Sequence, residues 1–158
     1  MTAIDSDNVR AVQLLIKDEE GLARLYQAYA LKFPIFAPFW SQVASDELRH
    51  ADWVRELMTD VQSGTVVYRA SRFNPELFCA YLDEIDRQIK KATTEKMTLF
   101  DALSTALFFE RTYIEKNFFE IFESDTEMAS RILDMLAGGT REHARRIEEL
   151  WERYRPKE

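Results

Sequence analysis

Cysteine is nearly absent from this sequence, which has one, Cys79, in 158 residues. A single cysteine excludes an internal disulfide and any iron centre held by four cysteines. Glycine and proline are also scarce, with four of each, and basic residues are outnumbered, since the formal net charge is −7. The lack of a basic excess argues against a nucleic-acid partner, because binding to phosphates depends on lysine and arginine.

Long apolar runs are absent as well. None approaches the roughly 20 residues that a membrane-spanning helix needs, so we expect no membrane association. The first ten residues are polar and acidic, which is not the pattern of a signal peptide. What is present is 46% hydrophobic and 31% charged residues, a mixture that suits amphipathic helices. We therefore expect one cytoplasmic all-α domain over residues 1–158.

Prolines and capping residues divide the chain into five predicted helices. Pro34 ends the first, Asn74 followed by Pro75 opens the third, and a capping box beginning at Thr98 opens the fourth. The predicted helices cover residues 7–33, 36–62, 75–91, 98–123 and 125–154. Short hinges join the four long helices into two antiparallel hairpins, and one long connection containing the shorter helix links the hairpins. This order predicts a ferritin-like four-helix bundle.

Each long helix has an inward seam on which apolar residues recur at steps of three and four. Polar side chains break every seam near its middle. Counted from the two hinges, these breaks lie at similar distances, so each hairpin should place its polar residues at one level. The residues concerned are Glu19, Glu47, His50, Glu110, Thr140 and His143.

Burying three carboxylates and two imidazoles in one layer would cost about several kcal/mol for each unpaired ion. A network of ion pairs could offset this cost, but Arg24, Arg49, Arg111 and Arg141 lie off the seams. A divalent cation could also offset it, and glutamate with histidine inside a bundle is a ligand set for iron or manganese. We therefore predict a site for one or two iron ions, with manganese and zinc as alternatives. Its predicted ligands are Glu19, Glu47, His50, Glu110 and His143.

The motif Glu47-Leu-Arg-His50 resembles the first E-x-x-H motif of the rubrerythrin-like branch of the ferritin-like superfamily. Glu19 with Tyr26 seven residues later is similar to that family's first helix, and Glu110 is similar to its third-helix glutamate. The resemblance implies that Glu47 and Glu110 bridge two irons, that Glu19 and His50 complete one, and that His143 binds the other. It also implies that Tyr26 lies beside the metals, and we add Tyr113 as a second such candidate.

The second E-x-x-H motif is not intact, because the residue three before His143 is Thr140. A threonine hydroxyl is a poor ligand for iron, and three carboxylates leave two Fe²⁺ ions with about one uncompensated positive charge. That position could take a hydroxide, a peroxide or an outside carboxylate, or only one metal could bind. Glu20 and Glu142 are fallback ligands, disfavoured because each points about 100° away from its neighbour on the seam.

The resemblance implies a di-iron oxidoreductase, a peroxidase or ferroxidase that reacts Fe(II) with O₂ or peroxide. Without the four cysteines of a rubredoxin domain, such an enzyme needs an external electron donor. We expect a homodimer, the commonest oligomer, rather than a storage cage. The alternative is a protein without catalysis, either an iron or manganese buffer or a metal-free helical module that mediates protein contacts.

Overall fold

The computed structural model describes residues 3–63, 66–68, 74–115, 122–124 and 126–157. Five helices make up most of this part, and two three-residue strands lie between them. The helices are α1 (Ala3–Lys32), α2 (Ala37–Ser63), α3 (Pro75–Thr94), α4 (Leu99–Glu115) and α5 (Glu127–Tyr154). The strands are β1 (Val66–Tyr68) and β2 (Phe122–Ser124), and a short 3₁₀ turn covers Pro34–Phe36. The five helices pack together into a bundle.

Helices α1 and α2 form an antiparallel hairpin. Its hinge follows from Pro34, because the residue before a proline avoids helical angles, and Phe33 has φ −123° and ψ 76°. Near the hinge the rings of Tyr29 and Trp40 are 4.9 Å apart. Farther along, Arg55 binds Glu20. As the residue number falls along α1, the number of its contact on α2 rises, so the two helices are antiparallel.

Helices α4 and α5 form a second antiparallel hairpin. Trp151 donates a hydrogen bond from Nε1 to Ser104 Oγ (2.9 Å), and its ring lies 5.3 Å from that of Phe100. Arg111 binds Glu148 at 2.6 Å farther along α4. The hairpins meet where α2 packs against α5, while α3 packs against α1. Four helices, α1, α2, α4 and α5, therefore surround one interior.

The predicted end of the fourth helix at residue 123 is wrong. Helix α4 is described to Glu115, and Phe122–Ser124 form β2, paired antiparallel with β1 so that Val66 is opposite Ser124. Valine, tyrosine and phenylalanine favour strands, and pairing with the crossover outweighs the helical spacing of the sequence. The predicted start of the fifth helix at residue 125 moves to Glu127 for the same reason, because Ser124 belongs to the strand.

The other helix boundaries differ from prediction by a few residues. Helix α1 begins at Ala3 rather than at residue 7, and α3 continues three residues beyond residue 91, to Thr94. The caps predicted at Asn74 and Thr98 are present, whereas α5 is capped by Thr126 and not by Ser124. Asn74 Oδ1 accepts hydrogen bonds from the backbone N–H groups of Glu76 and Leu77 at 3.1 and 3.2 Å. Thr98 and Asp101 form the reciprocal bonds of a capping box at 3.0 and 3.1 Å.

None of the helices in the described ranges combines the length and the apolar character that a membrane crossing requires.

Candidate metal centre

The polar residues predicted from the four seams lie in one buried layer between α1, α2, α4 and α5. Each of the five predicted ligands is at most 2% exposed. The apolar residues before and after them on the seams, such as Val43, Val54 and Ile147, are also buried. The cluster is therefore enclosed by core on both sides, as the seam pattern predicts.

Glu47 lies at the centre of this layer. Its Oε1 is 2.7 Å from Nδ1 of His143, and its Oε2 is 3.3 Å from Nδ1 of His50. The two imidazoles stack, with ring centroids 5.1 Å apart and planes 25° apart. Ligand atoms of these three residues all lie within 4.8 Å of one another, a spacing that a metal ion could use. One carboxylate thus connects two histidines from different helices.

A further carboxylate flanks each histidine. Glu19 Oε2 lies 3.7 Å from His50 Nδ1, and Glu110 Oε1 lies 3.6 Å from His143 Nδ1. The cluster therefore divides into two sets of three that share Glu47. We name Glu19, Glu47 and His50 the first position, and Glu47, Glu110 and His143 the second position. Each position offers two carboxylates and one imidazole.

Tyr26 extends the second position toward the hinge. Its hydroxyl donates a 2.7 Å hydrogen bond to Glu110 Oε1, and its side chain is fully buried. Burial, together with the negative charges of Glu110 and Glu47, raises the pKa of Tyr26 well above its ordinary value. The hydroxyl therefore keeps its proton and restricts the orientation of Glu110.

Asp46 belongs to the site, although it was not predicted from the sequence. Its side chain is buried, and its Oδ2 lies 3.2 Å from Nε2 of His143. Arg49 binds Asp46 Oδ1 at 2.6 Å, and Arg146 approaches Oδ2 at 3.5 Å. A carboxylate on the outer nitrogen of a histidine fixes the ring and raises the basicity of the other nitrogen. Asp46 thus directs Nδ1 of His143 toward the centre of the layer.

The seam pattern could not reveal Asp46. It precedes Glu47 by one residue and so points about 100° away from the seam of α2. A lone aspartate off the seam is, on sequence grounds, an ordinary surface residue. Its role arises only because α5 brings His143 against it.

Thr140 is buried in the same layer, but its hydroxyl is bonded within its own helix. It donates a 3.0 Å hydrogen bond to the carbonyl of Leu136, four residues earlier. This bond is a common way to satisfy a threonine inside a helix. Thr140 therefore contributes a small side chain where the resemblance would place a third carboxylate, and so a fourth ligand, for the second position.

The fallback ligands lie outside the cluster. Glu20 binds Arg55, and Glu142 binds Arg145 at 2.6 Å on the surface of α5. The side chain of Tyr113 is outside the described residues. Each of the two glutamates is one residue from a seam position and so points about 100° away from the seam, which agrees with their places outside the cluster.

The arginines near the seams do not neutralise the layer. Arg111 binds Glu148 at 2.6 Å, Arg24 lies 3.9 Å from Asp86, and Arg49 binds Asp46. Within the described ranges, no arginine or lysine forms an ion pair with the three seam glutamates. The positive groups that contact them are the two imidazoles.

Both imidazoles hold protons strongly when no metal is bound. Burial alone would lower the pKa of His50, but hydrogen bonds to Glu19 and Glu47 outweigh it and raise the pKa to about 10. Burial likewise opposes the charge on His143, while hydrogen bonds to Glu110 and Glu47 raise its pKa to about 11. At neutral pH the metal-free layer therefore contains two imidazolium groups.

The three glutamates divide into one charged carboxylate and two that retain protons more readily. Burial and then the charge of Glu47 raise the pKa of Glu19 well above its ordinary value, and they raise that of Glu110 to about 7. Burial also disfavours the charge on Glu47, but hydrogen bonds with Glu19, His143 and His50 hold its pKa well below the usual range. The protons in this layer compensate the charge that a cation would otherwise neutralise.

These shifts predict how the stability of the metal-free protein depends on pH. Groups whose pKa is raised on folding stabilise the protein fully below their unfolded pKa and lose that effect as pH rises. For Glu19 and Glu110 the loss begins near pH 4.5, and for the histidines it extends from about 6.5 to 10 or 11. The free energy of unfolding should fall by about 1.4 kcal/mol per pH unit for each proton taken up on folding.

Thermal unfolding in EDTA between pH 5 and pH 9 measures this dependence. The melting temperature should fall across that range, and the slope should be reduced in a variant with His50→Gln and His143→Gln. Glu47 acts in the opposite sense. Because its pKa is lowered on folding, the stability that its charge contributes is lost only as pH falls below about 4.5. A melting temperature that rises from pH 6 to pH 9 would contradict the assignment of protons to the two imidazoles.

Comparison with known proteins gives no match to this chain among family models, curated proteins or solved structures. The geometry of the cluster is thus the basis on which a function can be proposed. That geometry consists of five buried ligand-type side chains from four helices, arranged as two sets around Glu47.

Proposed function

We propose that this chain is a ferritin-like protein, similar to the rubrerythrin-like branch, that binds iron in its interior and reacts Fe(II) with O₂ or peroxide. The observation that carries the proposal is the position of Glu47, whose two oxygens face the Nδ1 atoms of His50 and His143 at 3.3 and 2.7 Å. A bridging carboxylate between two imidazoles, with one more carboxylate on each side, matches the donor set of two neighbouring metal positions.

The chemistry of the donors supports iron. Carboxylate oxygens with imidazole nitrogens suit iron and manganese, and imidazole also suits zinc. The metal-free layer needs protons on both histidines to balance its charge, and a divalent ion would replace those protons. Glu19, Glu47 and His50 would hold one ion, and Glu47, Glu110 and His143 the other. Asp46 and Tyr26 would orient His143 and Glu110.

A pair of Fe(II) ions would supply the two electrons that, with two protons, convert one hydrogen peroxide to two waters. The chain's own contribution is to hold the ligands and to keep bulk water from a layer in which they are at most 2% exposed. Relative to the rubrerythrin-like pattern, Thr140 leaves the second position one carboxylate short, which makes that position the better candidate for binding a small oxygen species. Return of the irons to Fe(II) requires a separate donor, because Cys79 alone cannot hold an iron–sulfur centre. The homodimer stays a prediction.

Metal analysis of protein purified without added chelator is the first test. We expect about two equivalents of iron per chain, either as purified or after anaerobic loading with Fe(II). Adding peroxide or O₂ should oxidise the bound Fe(II). With a reductant supplied, the protein should consume peroxide over repeated cycles. Protein that takes up neither iron nor another divalent metal, after dialysis against each in turn, would overturn the proposal. The 280 nm absorbance of the three tryptophans and six tyrosines gives the protein concentration needed for the stoichiometry.

A second candidate function is supported by the hydrogen bonds of the metal-free cluster. Because Glu47 already bonds both imidazoles, protons alone can balance the layer, as in a buried ion-pair network that fixes the packing of a helical module. A bundle that uses the cluster in this way would bind partners without catalysis. Stable metal uptake with no reaction toward peroxide would instead indicate an iron or manganese buffer.

A further inference from the structure

Two consecutive glycines, Gly138 and Gly139, occur in the middle of α5, where glycine is unfavourable for a helix. Their surroundings differ sharply. A Cβ atom at Gly138 would meet nothing within 4 Å. A Cβ atom at Gly139 would lie 2.5 Å from Nε2 and 2.8 Å from Cε1 of His50. Carbon atoms do not approach a ring this closely, so His50 occupies the space that any side chain at residue 139 would need.

His50 has little freedom to move away. Its ring stacks on Trp53, with centroids 5.2 Å apart, and on His143, with centroids 5.1 Å apart. Its Nδ1 faces Glu47 and Glu19, and the residue is 2% exposed. Neighbouring rings thus restrain the ring, the carboxylates hold one nitrogen, and the backbone of α5 lies against the other nitrogen.

We infer that Gly139 is a positioning residue of the metal centre: its missing side chain forms the slot in which His50 presents Nδ1 to Glu19 and Glu47. The inference rests on the proposed metal binding. A methyl group at residue 139 would force the His50 ring to tilt or shift, and Nδ1 would turn away from the two carboxylates. The first position would then lose its imidazole ligand.

The effect should be selective for the first position. His143 is held from the other side, by Asp46 at Nε2 and by Glu47 at Nδ1, with contacts of 3.2 and 2.7 Å. None of these contacts involves residue 139. Gly139→Ala should therefore weaken one metal position and leave the second position with its ligands.

Cobalt(II) is a suitable probe, because its visible absorption reports the ligands around it, and Gly138→Ala is the matched control. Wild type and Gly138→Ala should bind Co²⁺ with the same stoichiometry and affinity. Gly139→Ala should bind one of two ions more weakly by on the order of 10- to 100-fold, the range found when the support of a ligand is lost. Equal Co²⁺ binding by both glycine variants would overturn the inference while leaving the proposed function intact.

Thermal unfolding without metal tests the steric contact separately. Gly138→Ala should raise the melting temperature by about 2–4 °C, since alanine favours the helix and nothing obstructs its methyl group. Gly139→Ala should lower it. In a His50→Ala background the obstacle is gone, so Gly139→Ala should raise the melting temperature as Gly138→Ala does.

The double variant also covers the case in which Gly139→Ala alone does not fold. If His50→Ala with Gly139→Ala is less stable than His50→Ala, the methyl group clashes elsewhere and the inference is wrong. If wild type binds neither Co²⁺ nor Fe(II) nor another divalent metal, the proposed function and the metal part of this inference fail together. The sign of the melting-temperature change in the His50→Ala background then reports only whether the slot exists.

Discussion

Glu47→Gln is expected to abolish metal binding at both positions and to lower the free energy of unfolding of the metal-free protein by about 3–5 kcal/mol. Glutamine has the shape of glutamate but no charge, and the amide nitrogen that replaces one carboxylate oxygen is a donor, so it cannot accept a hydrogen bond from an imidazolium group. One of the contacts, 2.7 Å to His143 or 3.3 Å to His50, must therefore be lost. The melting temperature should drop by about 6–20 °C in a chain of this length.

Glu142→Gln is the matched control for this prediction. Glu142 is adjacent to His143 in sequence, but it lies on the surface and binds Arg145. The same chemical change there should leave both the melting temperature in EDTA and the metal stoichiometry close to those of wild type. Comparable losses in the two variants would show that the charge of Glu47 has no special place in the layer.

The size of the effect follows from where Glu47 lies. It is 1% exposed, and of the five predicted ligands it is the one that belongs to both proposed metal positions. Removing Glu19 or Glu110 leaves one position complete, whereas removing Glu47 leaves neither. Variants of Glu19 and Glu110 should therefore retain one ion, whereas the variant of Glu47 should retain none. Comparing these metal stoichiometries tests the role of each glutamate without any assumption about catalysis.

The helical part of the fold could be predicted from local signals. Pro34 and the pair Asn74-Pro75 mark helix boundaries by their own backbone chemistry, so the hinge and the start of α3 agree with the structure. The strand Phe122–Ser124 could not be predicted in this way. Its pairing with Val66–Tyr68 joins segments more than fifty residues apart. The periodicity within either segment does not indicate which distant segment it pairs with.

The residues of the candidate site likewise divide into those that local sequence pattern predicts and those that depend on tertiary packing. Glu19, Glu47, His50, Glu110 and His143 interrupt apolar seams, and the seam alone predicts that they point inward. Asp46 and Gly139 lie off the pattern, because one points away from the seam and the other has no side chain to classify. Both act through a histidine on another helix, and only the packing of α2 against α5 brings each to its partner.

Thr140→Glu is expected to destabilise the metal-free protein and to stabilise the metal-bound protein. On α2, a glutamate three residues before a histidine reaches its Nδ1 at 3.3 Å, and a glutamate at residue 140 would have the same spacing to His143. Without metal it would add a buried carboxylate beside Glu47 and Glu110, so the free energy of unfolding should fall by about several kcal/mol. With two divalent ions bound, four carboxylates would balance the charge completely.

Metal affinity at the second position should then rise on the order of 10- to 100-fold, as about 1.5–3 kcal/mol from one charged contact implies. Thr140→Gln has nearly the same shape without the charge, and it equally removes the hydrogen bond that Thr140 donates to the Leu136 carbonyl. Melting temperatures should therefore rank the glutamate variant below the glutamine variant in EDTA and above it with saturating Co²⁺ or anaerobic Fe(II). If the order does not reverse, residue 140 does not face the second position, because a carboxylate that met the ion there would have to be stabilised by it.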